Sequence, residues 1–285
     1  MMKDIIIGAV SDYEFEKVKL WVNSIHKCGF DGLKIMIAFN ISDRTKSLLE
    51  DNGFFVHLCS HERNVNDDGY LFMEDFTHRV THARHFYTWL CLKELQGDFR
   101  YVIATDVTDV VFQQNPSHWL EKNLGDKKIC VGSESISHAH EPWGSQVMLE
   151  TFGTEVYEYM AERPIYNAGS LAGEFTYYKD FSLNLGLIIF GLNQTLPDQA
   201  AMNVLLSTEP YKSITRFNNH EETWCCQCGI TAAPDKIEQF KPHWHSPAPL
   251  FNGEQVTTSE HHTYALVHQY NRNPQWKQAM EEIYG

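Results

Sequence analysis

Two aspartates, Asp106 and Asp109, follow the apolar run Tyr101–Thr105 (YVIAT). In an open α/β sheet, ligands bind beyond the carboxyl ends of the strands. Two carboxylates there repel each other unless something positive sits between them. A hard divalent cation, Mn²⁺ or Mg²⁺, takes carboxylate oxygens and keeps positions for water and phosphate. Residues three apart on an extended strand point to opposite faces. Both acids therefore reach one ion only if the chain turns between them, and Thr108 is compatible with such a bend. The plainer reading makes one Asp a turn cap and leaves the other solvated.

Other residue types in the chain are chemically capable, each with a bland alternative. His268 follows Thr263–Val267 (TYALV), which reads as a late strand; alone it would be a satisfied core histidine. Asp198 and Gln199 follow Pro197, where Asp also serves as a helix N-cap. Arg79 and Arg84 lie with His78, His82 and His85 on one predicted helix. That pattern fits a solvated face, but Arg also suits bidentate contact with a diphosphate, and Arg84 is the better placed. Cys225, Cys226 and Cys228, with His220, His243 and His245 nearby, offer a zinc alternative to buried free thiols. Trp143, Trp224 and Trp244 read as core or loop anchors, any exposed one being suited to an acceptor sugar.

The elements that must position these residues follow from periodicity. Asp4–Val10, Leu33–Phe39, Phe54–Leu58 and Tyr101–Thr105 read as buried parallel strands. Helices Glu14–Cys28 (Val18, Trp21, Val22 and Ile25 on one face), Ser42–Asn52 and Thr77–Gln96 alternate with them, each followed by a glycine. His61–Phe76 reads as a polar loop, Pro116 as a helix start and Ile129–Gly132 as a strand. Further on, Tyr166–Ala172 and Leu185–Gly191 read as strands and Asp198–Ser207 as a helix. The β-α-β-α-β order predicts a doubly wound sheet with right-handed crossovers.

Composition sets bounds. The 285 residues carry a net charge of −14, which argues against nucleic acid or an anionic membrane as the main partner. A diphosphate ligand would need a local cation to overcome that field. Seven cysteines without regular spacing, no apolar N-terminal run and no long apolar stretch lead to the expectation of a reduced, cytoplasmic protein without an integral membrane segment. No repeat or linker is visible, so one domain is expected over 1–285.

The segment Ala104-Thr-Asp-Val-Thr-Asp-Val-Val-Phe-Gln-Gln-Asn-Pro116 resembles the metal-binding D-x-D segment of GT-A fold glycosyltransferases, in particular a subgroup with Asp-x-x-Asp-Val-Val-Phe-Gln before Asn-Pro. Other stretches are similar to those of the retaining families, family 8 above all: Ala9-Val-Ser-Asp12 with Tyr13, Tyr166-Asn-Ala-Gly-Ser170, Pro197-Asp-Gln199 and Val267–Trp276. The resemblance implies an α/β fold with a mixed, mainly parallel sheet flanked by helices. It implies transfer of a sugar from a nucleoside-diphosphate sugar, UDP-sugar by preference, to a glycan or other hydroxyl acceptor, with retention at the anomeric carbon. It assigns the metal to Asp106, Asp109 and His268. Ala9, Val10, Ser11, Tyr13, Arg84, Asp106 and Val107 would hold the donor, and Asp198, Gln199 and Asn167 would lie at the reacting sugar. Residues 1–115 would form the nucleotide-sugar half and 116–285 the acceptor half. The family's phosphate-binding Lys is replaced by Asn273, leaving Arg272 as its substitute. An inverting enzyme would need a carboxylate base, for which Asp198 or Glu174 are the candidates. The rival readings are a non-catalytic nucleotide-sugar or glycan-binding protein on the same fold, and a nucleotidyltransferase. The latter should carry a glycine-rich, basic phosphate loop after the first strand, and none is seen.

Overall fold

The computed structural model describes residues 2–59, 80–192, 194 and 196–285. The expected loop 61–76, His78, Arg79 and the start of the helix expected from Thr77 lie outside the described residues.

The first half follows the periodicity. Strands β1 (Lys3–Ser11), β2 (Leu33–Phe39), β3 (Phe54–Cys59) and β4 (Phe99–Thr105) alternate with helices α1 (Phe15–Lys27), α2 (Asp43–Asp51) and α3 (Val80–Glu94). Side chains alternate across a strand, and the core divides accordingly. Ile6, Val10, Met36 and Ile103 pack with Val18, Trp21, Val22 and Ile25 of α1, while Ile5, Ile7, Ile35, Ile37 and Val102 pack on the other face with α3. Ser42 caps α2, its Oγ accepting the Thr45 N–H at 3.2 Å.

Beyond β4 come the short strand β5 (Val110–Phe112), α4 (Pro116–Asn123), β6 (Ile129–Ser137) and α5 (Pro142–Met160), which is broken at Gly153. Then follow β7 (Pro164–Tyr166), β8 (Ser170–Glu174), α6 (Phe175–Phe190), α7 (Asp198–Leu206), α8 (Tyr211–Ile214) and β9 (Thr215–Asn218). The last part holds β10 (Cys225–Gln227), α9 (Cys228–Thr231), α10 (Ile237–Phe240), β11 (Leu250–Phe251), β12 (Val256–Thr257), β13 (Leu266–His268) and α11 (Pro274–Tyr284).

The main sheet has the order β3-β2-β1-β4-β8-β6-β7, with β9 beside β6. Its β3-β2-β1-β4 half is parallel, and β8 enters antiparallel to β4. A second sheet, β10-β13-β5, lays β13 antiparallel to β5 and parallel to β10. The result is a single α/β domain with a mixed central sheet flanked by helices. Among the described residues, no helix is long and apolar enough to cross a membrane.

Two expectations are corrected. Leu185–Gly191 is not a strand but the end of α6. The buried residues of that helix, Tyr178, Phe181, Ser182, Leu185, Gly186 and Ile189, recur at helical spacing. A short apolar run in a helix cannot be told from a strand by hydropathy alone, and Gly186 within it is a packing device. A Cβ on Gly186 would stand 3.0 Å from the Phe86 backbone nitrogen of α3. Tyr166–Ala172 is also not one strand: β7 ends at Tyr166, Asn167–Gly169 turn, and β8 starts at Ser170.

Candidate active site

The acids Asp106 and Asp109 flank a bend. Asp106 leaves β4 and its N–H donates to the Gly169 carbonyl at 3.1 Å. Val107 then turns into the core, where it is 4% exposed, so only its backbone is available to a ligand. Asp109 enters β5, and its carbonyl accepts the Gln269 N–H at 2.7 Å. β5 pairs with β13 so that Val110 faces His268. This resolves the three-residue spacing: the turn at Val107–Thr108 brings both carboxylates to one imidazole.

His268 Nε2 stands 3.3 Å from Asp106 Oδ2 and 3.6 Å from Asp109 Oδ1, and has no aligned hydrogen-bond partner. Three ligand atoms in an octahedral shell around Mn²⁺ or Mg²⁺ would lie roughly 3 Å apart, so the set fits such an ion. Burial opposes charge on the imidazole, but Asp109 and Asp106 outweigh it and raise the His268 pKa to about 10. Asp106 is likewise desolvated, yet Arg84 and His268 hold its carboxyl well below the usual range. A cation would take the place of the proton on Nε2. The other ring nitrogen is fixed from behind. Gln227 Nε2 donates to Ser170 Oγ at 2.8 Å, which turns its oxygen toward His268 Nδ1 at 2.6 Å. That bond makes Nδ1 the donor and leaves Nε2 to face the acids.

Gly169 lets these groups converge. A Cβ there would stand 2.6 Å from Asp106 Oδ2 and 2.7 Å from His268 Cε1. Asn167 holds the same turn, its Oδ1 accepting the Gly169 N–H at 2.7 Å.

Arg84 ties this cluster to α7. One terminal nitrogen donates to Asp106 Oδ1, the other to Asp198 Oδ2 at 2.6 Å. Its two ends are thus committed to carboxylates, and its position is that of a brace. Asp198 is the first residue of α7 and is buried. Beside it, Gln199 Nε2 and Asn167 Nδ2 both donate to Glu134 Oε1, at 3.0 and 2.7 Å. Burial raises the Glu134 pKa, and the two amides act against that rise.

A cavity of about 460 Å³ gathers Arg84, Asp106, Asn167, Asp198, Gln199, His268 and Arg272 in one wall system. Asp109 joins it through His268. Ala9, Val10, Ser11 and Tyr13 do not border this cavity. They lie at the carboxyl end of β1, where Val10 is buried, Ala9 borders a small crevice shared with Arg84, and Tyr13 packs partly on the core. Glu174 is excluded as a base by position. It ends β8 opposite Tyr101, at the far end of the strand that begins beside Thr105, and pairs with Lys128 at 2.7 Å.

No protein-family model matches the sequence, and no curated protein matches it. Solved structures do. The bifunctional glycosyltransferase WbbM superposes with a TM-score of 0.59 at 12% identity, covering 99% of this chain and 51% of that one. The galactosyltransferase LgtC, solved with donor and acceptor sugar analogues, gives 0.53 at 13% identity over 99% and 96% of the two chains. The Streptococcus pneumoniae glycosyltransferase GlyE gives 0.54 at 13%, over 98% and 60%. The chain thus spans about half of WbbM and nearly all of LgtC. Its fold is the GT-A fold.

Within the GT-A frame, three residues escaped the sequence reading. Glu134 sits inside β6, where a lone acid interrupting an apolar strand was the available signal. Lys236, half-buried between α9 and α10, borders the cavity with Arg272, and neither side chain has a partner among the described residues. Nothing in the Lys236 segment pointed there. Gln227 was seen only as the break in a cysteine run. Asn273 is accounted for structurally: its Oδ1 caps α11 at 3.0 and 3.3 Å and its Nδ2 donates to the Ala232 carbonyl. The zinc alternative fails among the described residues, where Asp106, Asp109 and His268 form the one cluster able to hold a metal. All seven cysteines are free, and burial raises the Cys225 and Cys226 thiols.

Proposed function

We propose that this protein is a metal-dependent glycosyltransferase that moves a sugar from a nucleoside-diphosphate sugar, UDP-sugar by preference, to a hydroxyl of a glycan acceptor. The carrying observation is the convergence of Asp106, Asp109 and His268 at the carboxyl end of β4, with Asp106 and His268 lining one cavity together with Asp198, Gln199 and Asn167. Residues 1–115 would hold the nucleotide, against the end of β1, and 116–285 the acceptor, with His268 closing the metal site.

Mn²⁺ or Mg²⁺ at the three ligands would neutralise charge developing on the departing diphosphate. The chain's own residues do the rest by position. Among the described residues, Lys236 and Arg272 are the cavity's cations without a carboxylate partner and would meet the phosphates, Arg272 in place of the missing family Lys. Asp198, fixed by Arg84, accepts hydroxyls of the transferred sugar. Glu134 holds the amides of Asn167 and Gln199 in one orientation beside it. The family resemblance favours retention, and Asp198 is already engaged by Arg84.

The test is a melting-temperature screen of UDP, GDP and their sugars, each with Mn²⁺ and with chelator, followed by donor hydrolysis. Binding to the folded state raises the melting temperature by linkage. A nucleotide should stabilise only with the metal, and Asp109→Ala should abolish that effect while remaining folded. No metal-dependent stabilisation by any nucleotide would refute the proposal. Binding without turnover would leave a non-catalytic binder, and pyrophosphate release from a nucleoside triphosphate would indicate a nucleotidyltransferase.

A further inference from the structure

Trp143 and Leu196 are large apolar side chains left uncovered on the wall of the same cavity, 50% and 39% exposed. Both also border one small crevice with Gln199 behind that wall, so the three are neighbours. The backbone that carries the indole is held in place. Trp143 stands in the first turn of α5, where Glu141 caps the helix by accepting the Trp143 and Gly144 N–H groups. Leu196 is held at a φ of 58°, a left-handed conformation that a leucine seldom adopts. The turn that presents it delivers Asp198 and Gln199 immediately afterwards. Trp224, by contrast, is fully buried.

An uncovered aromatic ring on the wall of a polar cavity is a binding surface rather than a core element. Beside it stand acceptors and donors for hydroxyls: Glu134, Gln199 and Asn167. The combination fits a molecule with one apolar face and a rim of hydroxyls. It fits an acyl chain less well, since among the described residues the walls also carry Asp106, Asp198, Lys236 and Arg272. We infer that the Trp143–Leu196 wall is the acceptor subsite and that it takes a carbohydrate ring, stacked on the indole with its hydroxyls toward Glu134 and Gln199. This rests on the glycosyltransferase reading and names its acceptor class.

The experiment uses saturation-transfer NMR with a panel of methyl glycosides (glucose, galactose, mannose, N-acetylglucosamine) and lactose, in the presence of UDP and Mn²⁺. The wild-type protein should saturate ring protons of at least one probe. Trp143→Ala should weaken that binding about tenfold or more, and Trp143→Phe should restore part of it. Tyr159→Ala, which removes another exposed aromatic of α5, should have no effect. Melting temperature reports folding of each variant. If no probe binds wild-type protein that binds UDP, or if Trp143→Ala binds the same probe equally well, the inference is overturned. If UDP fails to bind but a glycoside binds through Trp143, the subsite stands and the donor reading falls.

Discussion

Gly169→Ala tests the metal geometry with one methyl group. The added Cβ would lie 2.6 Å from Asp106 Oδ2 and 2.7 Å from His268 Cε1, against an ordinary contact of at least 3.4 Å. Relief requires a displacement of about 0.8 Å. Neither side yields cheaply. The Gly169 backbone is tied to Asp106 N and Asn167 Oδ1, and His268 is pinned by Gln227. Metal sites tolerate about ±0.2 Å in ligand distance. The expected cost is that of losing a supporting group, about 10- to 100-fold in metal affinity, or about 1.4 to 2.8 kcal/mol. Overpacking should also lower stability by about 1–3 kcal/mol. Calorimetry of Mn²⁺ binding in the presence of UDP, with denaturant melts, reads both numbers. Wild-type Mn²⁺ affinity in a folded Gly169→Ala protein would refute the convergence of Gly169, Asp106 and His268.

Three more outcomes are expected. Gln227→Leu removes the acceptor that orients His268 Nδ1 and should weaken Mn²⁺ binding about 10- to 100-fold, measured by the same calorimetry, while leaving all three ligands in place; unchanged affinity would remove Gln227 from the site. Lys236→Ala and Arg272→Ala should each raise the donor KM more than they lower kcat and weaken UDP more than uridine, since both are proposed to meet the phosphates; equal losses for UDP and uridine would contradict that role. Burial lowers the pKa of His220 and His138 to about 4. Between pH 6.5 and 4 the unfolded chain therefore binds protons there that the folded chain does not, so stability is fully present above about 6.5 and falls on acidification. Metal-free melts at pH 7, 6 and 5 should show that decline, and a flat profile would contradict neutral burial of these rings.

Much of the N-terminal half was legible because its signals are local. Ile5–Ile7, Ile35–Ile37 and Val102–Ile103 are continuous apolar runs between capped amphipathic helices, and strand order follows from short parallel crossovers. The metal cluster was legible only in part. The bend at Val107–Thr108 depends on pairing between β5 and β13, which no window of sequence contains. The cavity's far walls were hidden for the same reason. Glu134, Gln227 and Lys236 acquire meaning only once strands β6, β8, β10 and β13 bring distant segments together. α6 was missed because its helical period spans sixteen residues, of which only the apolar end was weighed.

Arg84 joins Asp106 to Asp198, which lie on different elements and serve different ends of the cavity. One guanidinium thus divides its charge between the group proposed to meet the cation and the group proposed to meet the sugar. A cation bound through Asp106 would compete with Arg84 for the charge of that carboxylate and leave the guanidinium more fully to Asp198. On the proposed function the two halves of the site would then not be separate compartments but the arms of a balance, with a load on one arm felt at the other.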